Sequence, residues 1–112
     1  MENLNKMILS KIVGSTFTPY GQQAIKELKE GDRLIWEREP ENKYDPYAIG
    51  IYNMDQLKLG YIPKETAKDI SLELDNQTIK AMKVEVNEVT GIIEKNVGCN
   101  IIISLYYEDS SN

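Results

Sequence analysis

The side chains best suited to site chemistry crowd into two short stretches of this sequence. The first is Glu39-Pro40-Glu41-Asn42-Lys43-Tyr44-Asp45-Pro46-Tyr47, and the second is Gly60-Tyr61-Ile62-Pro63-Lys64-Glu65-Thr66. In the first, Asp45 offers an ionised carboxylate that only accepts hydrogen bonds. An aspartate before a proline is equally a common turn residue that binds its own backbone. Tyr44, between Lys43 and Asp45, combines a stacking face with a polar tip, and its polar setting argues against a place in the core. In the second stretch, Pro63 reads as the start of a helix, whose free N–H groups and partial positive charge suit an anion. Lys64 adds a formal charge there, with Arg38, Lys43, Lys58 and Lys68 as candidate neighbours, although Glu65 dampens the potential and a lone lysine on a helix is usually just solvated. Glu37, Glu39 and Glu41 alternate along the chain. They could hold a divalent ion, but a solvated acidic face is the preferred reading.

Composition removes most catalytic alternatives. The 112 residues contain no histidine, so the commonest general base and the commonest neutral metal ligand are both missing. One cysteine, Cys99, allows neither an internal disulfide nor a cysteine-built zinc site. No phosphate-binding G-x-x-x-x-G-K or nucleophile-elbow G-x-S-x-G string occurs. The expectation is a protein that is not an enzyme and takes no cofactor and no metal. Thirteen basic against 18 acidic residues give a net charge of −5, which argues against sequence-blind coating of a duplex. A local basic cleft is compatible with it, because salt confines each charge to about 10 Å. Tyrosine is over-used: seven Tyr stand beside one Trp and one Phe. The richest apolar run, Ile101 to Tyr107, is far shorter than the roughly 20 residues of a membrane helix, and the N-terminus leads into no signal-like apolar segment. A cytoplasmic protein without membrane contact is expected.

The elements that must hold these residues are mostly strands. Residues 7–16 read as a first strand, and 21–29 as a helix with Ala24, Ile25 and Leu28 on one face and Gly31 as its stop. Residues 32–38 alternate as a half-buried strand, with Leu34 and Trp36 on one side. After the irregular stretch 39–47, strands at 48–53 and 57–62 form a hairpin across Met54-Asp55-Gln56. A helix from Lys64 to about Leu74 carries Ala67, Ile70 and Leu74 as its buried stripe. Pro63 sits at its first position, where a missing N–H costs nothing. Two long strands, 79–93 and 99–107, complete the chain. Trp36, Leu34, Ile49, Ile51, Leu59, Ile62, Ile101 and Ile103 are the expected core. Strands in succession, without β-α-β alternation, predict a mainly β fold: a small OB-like antiparallel barrel of about six strands with two short helices. One domain over residues 7–107 is expected, with 1–6 and 108–112 frayed.

Four segments together resemble the HIRAN domain. They are Val13-Gly14-Ser15-Thr16-Phe17, Leu34-Ile35-Trp36-Glu37-Arg38-Glu39-Pro40, Asn42-Lys43-Tyr44-Asp45-Pro46-Tyr47-Ala48-Ile49 and Leu59-Gly60-Tyr61-Ile62-Pro63-Lys64-Glu65-Thr66-Ala67. The likeness covers roughly residues 8–107. Such domains occur at the N-terminus of helicase-like transcription factors and fork-remodelling ATPases, and as solitary domains in bacteria and phages. The resemblance implies an OB-like barrel that captures the 3′ end of single-stranded DNA, with a helicase or nuclease as the kind of protein partner it works beside. It implies Phe17 and Tyr44 as base-stacking platforms, Asp45 as acceptor for the free 3′ hydroxyl, and Tyr61 and Lys64 on the phosphate side. Asn42 then holds the loop or touches the end nucleotide. Thr16 departs from the pattern: an arginine precedes the first stacking aromatic in DNA-contacting members, so one cation is missing.

Two functions follow. The first is non-catalytic binding of single-stranded DNA with preference for a free 3′-hydroxyl end, in repair, replication or a related process. A hydroxyl donor pairs with a carboxylate where a phosphate would be repelled, so Asp45 can tell an end from a continuing strand. The second, motivated by Thr16 and the acidic balance, is a protein-interaction or adaptor domain with a degenerate DNA pocket. Core burial of Phe17 stays open as an alternative to stacking.

Overall fold

The structure is a computed structural model that describes residues 3–108. Among the described residues it has six strands and two helices: β1 (Asn3–Lys11), α1 (Gly21–Lys26), β2 (Arg33–Arg38), β3 (Ile49–Tyr52), β4 (Lys58–Tyr61), α2 (Lys64–Asp75), β5 (Ile79–Thr90) and β6 (Gly98–Glu108). All pairings are antiparallel, in the order β1-β6-β5-β2-β3-β4. The sheet curls into a half-barrel, the mainly β, OB-like architecture expected from the succession of strands.

Alternation along β6 shows how the core is built. Cys99, Ile101, Ile103 and Leu105 point inward and are buried, while Ile102 and Tyr106 stay partly exposed on the outer face. Val84 and Val86 of β5, Ile49 and Ile51 of β3 and Leu59 of β4 meet them inside. Ile25 of α1 and Ala67 and Ile70 of α2 complete the same cluster. Full burial of each such large side chain stabilises by about 1.5–3 kcal/mol. Of the expected core residues only Trp36 is not fully enclosed. Its indole needs a partner for the ring N–H, and Nε1 donates to the Met82 carbonyl at 2.9 Å from a half-buried position.

Several boundaries differ from the sequence reading. The first strand begins at Asn3, because residues 3–6, expected to fray, pair with residues 105–108 of β6. Residues 1–2 and 109–112, also expected to fray, lie outside the described residues. The same strand ends at Lys11. The Ile12 N–H still donates to Cys99, but Val13 leaves β6 and pairs with Tyr61 of β4. Helix α1 stops at Lys26, and Gly31, at φ +90°, turns the chain so that its N–H reaches Val86 of β5. Pro63 is the residue before α2, extended at ψ 144°, and its carbonyl accepts from Ala67 at 2.8 Å. The expected strand through Ile93 ends at Thr90, leaving Ile93 99 % exposed in the connection to β6.

The exchange between Val13 and Tyr61 brings the two ends of the curled sheet together. Each N–H donates to the other's carbonyl at 2.8 Å. That approach requires Gly60: a Cβ there would lie 2.4 Å from the Val13 carbonyl oxygen and 2.7 Å from Ile12 Cγ2. Gly60→Ala is therefore expected to destabilise the fold by about 1–3 kcal/mol, the range of overpacking at a closed contact. Thermal unfolding followed by circular dichroism checks this; a melting temperature unchanged from wild type would mean that the closure is not tight.

Candidate functional site

The irregular stretch between β2 and β3 is locked by its own side chains. Asn42 Oδ1 accepts from the backbone N–H groups of Tyr44 (2.8 Å) and Asp45 (3.1 Å). Asp45 Oδ1 accepts from the Tyr47 N–H at 3.0 Å, so the turn role read from Asp45-Pro46 is present. The Ala48 N–H donates to the Asp45 carbonyl, and Ser71 of α2 donates its hydroxyl to the Tyr47 carbonyl at 3.0 Å. The loop is thus a fixed scaffold rather than a free connection.

Its anchor is Glu39. Oε1 accepts from Asn42 Nδ2 (3.0 Å) and from the Tyr61 hydroxyl (3.0 Å), while Oε2 takes the ammonium of Lys58. Lys58 also donates to the Tyr61 hydroxyl at 2.6 Å, and its ammonium lies 4.1 Å from the centre of the Tyr61 ring. Burial opposes ionisation of Glu39, but hydrogen bonds from Lys58, Asn42 and Tyr61 outweigh it and hold the carboxyl below its usual pKa. Burial likewise works against the charge on Lys58, and its bonds to Glu39 and Tyr61 prevail, raising it to about 12. Glu39 is therefore not part of a solvated acidic face, which corrects the sequence reading. Spacing gave no means of separating it from Glu37 and Glu41, both of which are exposed. Among the described residues no cluster of carboxylates or thiolates could hold a metal ion.

Beside this network lies a pocket of about 330 Å³ lined by Val13, Asn42, Tyr44, Asp45, Ala48, Tyr61, Ile62 and Lys64. Five of the six residues singled out from the sequence meet here. Phe17 does not line the pocket. It lies just beyond Val13 in the connection to α1, where its N–H donates to Gly14, and it is 91 % exposed. The alternative of core burial is thereby removed. Tyr44 is 92 % exposed, its ring free although its backbone is fixed. Asp45 Oδ2 accepts no hydrogen bond from any described residue, and Lys64 makes no ion pair with one. The pocket thus presents one free carboxylate oxygen, one free ammonium and one open aromatic face. The other candidate cations are mostly committed: Arg38 binds Asp75 at 2.9 Å, Lys58 binds Glu39, and Lys68 lies 5.7 Å from the centre of the Tyr47 ring. Tyr61 contributes its ring to the wall, while its hydroxyl is held by Glu39 and Lys58.

The fold agrees with the comparisons. The family model of the HIRAN domain matches residues 6–106, and the chain belongs to the HIRAN domain family, whose members are DNA-binding modules. Two solved structures are similar. One is the HIRAN domain of human HLTF, with TM-score 0.75 and 18 % identity, covering 96 % of this chain and 81 % of that one. The other is a protein from Lactobacillus plantarum, with TM-score 0.75 and 17 % identity, covering 96 % of this chain and 100 % of that one. At such identity these likenesses speak for the fold. No curated protein matches.

The Glu39–Lys58 pair gives the loop a defined pH window. With its folded pKa lowered, Glu39 contributes stability that is present above its ordinary value of 4.5 and lost as pH falls through the folded pKa. Lys58 contributes stability that is present below its ordinary 10.5 and lost as pH rises through about 12. Glu39→Gln is expected to cost about 1–3 kcal/mol at neutral pH, because Lys58 loses its charged partner. Urea unfolding at pH 7 and pH 3 measures it: the variant should lose less than wild type on acidification, and equal losses would remove Glu39 from the account.

Proposed function

We propose that this domain binds single-stranded DNA at a free 3′-hydroxyl end, without catalysis. The observation that carries the reading is the geometry around Tyr44. An almost fully exposed ring stands on a backbone fixed by Asn42, next to a pocket that offers Asp45 and Lys64. An exposed aromatic on a rigid mount is a stacking platform whose ordering has been met by the fold rather than by the ligand.

Asp45 can serve turn and ligand together. Oδ1 is committed to the Tyr47 N–H, which fixes the carboxylate, and Oδ2 is left to accept from a terminal hydroxyl. A 3′ phosphate brought to the same place meets like charge. Lys64, the first residue of α2, supplies the cation for the preceding phosphodiester, helped by the free N–H groups of the helix. Phe17 adds a second exposed ring near Val13. In this reading Glu39 and Lys58 hold Asn42 and Tyr61 in place and touch no nucleotide. The processes such a module would serve are DNA repair, replication or related transactions beside a helicase or nuclease.

Two oligonucleotides that differ only in a 3′ hydroxyl or a 3′ phosphate test the proposal by fluorescence anisotropy. The hydroxyl end should bind several-fold more tightly, and Asp45→Asn should narrow the difference, since an amide can donate to phosphate. Tyr44→Ala should cost about 1–3 kcal/mol, a several-fold to hundredfold rise in Kd. Equal affinity for both ends, or unchanged binding by a folded Tyr44→Ala variant, would sink the reading.

A further inference from the structure

A second recess remains unassigned. It measures about 430 Å³ and is lined by Leu9, Ser10, Lys11, Pro63, Asn87 and Asn100. Its position follows from the bridge between Val13 and Tyr61. Val13 pairs with Tyr61, and both line the first pocket. Lys11 lies two residues before Val13 and Pro63 two after Tyr61, and both line the second. Antiparallel neighbours two residues apart share a face, about 7 Å further along. The two recesses are therefore consecutive stations along one seam.

The chemistry of this second station is specific. Asn100 stands opposite Lys11 in the β1–β6 ladder. Asn87 falls where the β5–β6 register shifts between Val86 and Glu88, and a bulge of this kind re-aims a side chain out of the regular alternation. Both amides are half-buried, yet neither side chain makes a hydrogen bond to another described residue, nor does the Lys11 ammonium. Two amides with donors and acceptors to spare, one free cation, and the apolar surfaces of Leu9 (74 % exposed) and Pro63 lie together. Amides match base edges, an ammonium matches phosphate, and apolar walls match a base face.

We infer that this recess is a second nucleotide subsite, which takes the DNA residues 5′ of the terminal two. The inference rests on the proposed reading of the first pocket. The strand leaves the Tyr44 pocket past Lys64, crosses Pro63, and places its next phosphate against Lys11 and its next base between Asn87 and Asn100. Affinity then grows with length beyond two nucleotides, and the growth belongs to these three residues.

Titration of a 3′-hydroxyl dinucleotide and a hexanucleotide of the same 3′ sequence tests this, with anisotropy for the hexamer and amide NMR shifts for both. Wild type should bind the hexamer about tenfold or more tightly than the dinucleotide. The Asn87→Ala/Asn100→Ala variant should lose most of that gain while its dinucleotide affinity stays put. Lys11→Ala should also lower the salt slope of hexamer binding by about 0.7, the share of one single-strand phosphate contact. In wild type the side-chain amide signals of Asn87 and Asn100 should move with the hexamer and not with the dinucleotide. Full retention of the length gain in folded variants overturns the subsite and leaves the Tyr44 pocket standing. Absence of binding to either oligonucleotide overturns both.

Discussion

The arrangement of the site depends on one pair of backbone hydrogen bonds, between Val13 and Tyr61. A curled sheet of this order leaves β1 and β4 as its two edges, and nothing in the ladders themselves brings those edges together. The exchange at 2.8 Å in each direction does so, just after β1 has released β6. It ties the two edges of the curled half-barrel at one point, and it sets Tyr61 beside the segment that leads to Phe17. Glycine at position 60 is the condition for this contact, because any Cβ would occupy the space of the Val13 carbonyl. The two recesses that follow one another along the seam are consequences of the same contact.

The second level of order is electrostatic. One carboxylate, Glu39, gathers an amide, a phenol and an ammonium that come from the loop and from β4. Asn42 passes that order on to the backbone of Tyr44 and Asp45. Side chains that make no ligand contact in the proposed reading therefore fix those that do. Rigidity here has a use: a loop already in its working shape loses little conformational freedom when a strand arrives. The acidic balance of the chain is also less telling than its total suggests. Glu39 and Asp75 are each engaged with a cation of the chain, while the ammonium of Lys64 stays available.

What could be read from the sequence was local. Helix α2 was legible because Pro63, the spacing of Ala67, Ile70 and Leu74, and the length of the segment all agree. The strands of β5 and β6 were legible from alternation, and the loop from its prolines, Asn42 and Asp45. The gathering of Asn42, Tyr44, Asp45, Tyr61 and Lys64 was legible only through the HIRAN resemblance, since nothing in their spacing states that β4 passes under the loop. What escaped was long-range. The early start of β1 is set by pairing with the last residues of β6, a partner about a hundred positions away. Glu39 looked like one of three alternating acids, and its role appears only when Lys58 and Tyr61 are brought to it. Asn87 was unremarkable within a strand until the register shift placed it beside Asn100 and Lys11.

The same long-range pairing of β1 with β6 has a consequence for how the module can be built into other proteins. Asn3 stands opposite Glu108, so the chain enters and leaves the barrel side by side. The ladder runs from there to Lys11 opposite Asn100, eight residues on and roughly 26 Å away at strand spacing. A domain with adjacent termini can be spliced into a host loop as a cassette without stretching the host. Here both junctions fall at the end of the ladder remote from the recesses, so a host fused at that point leaves the seam facing outward.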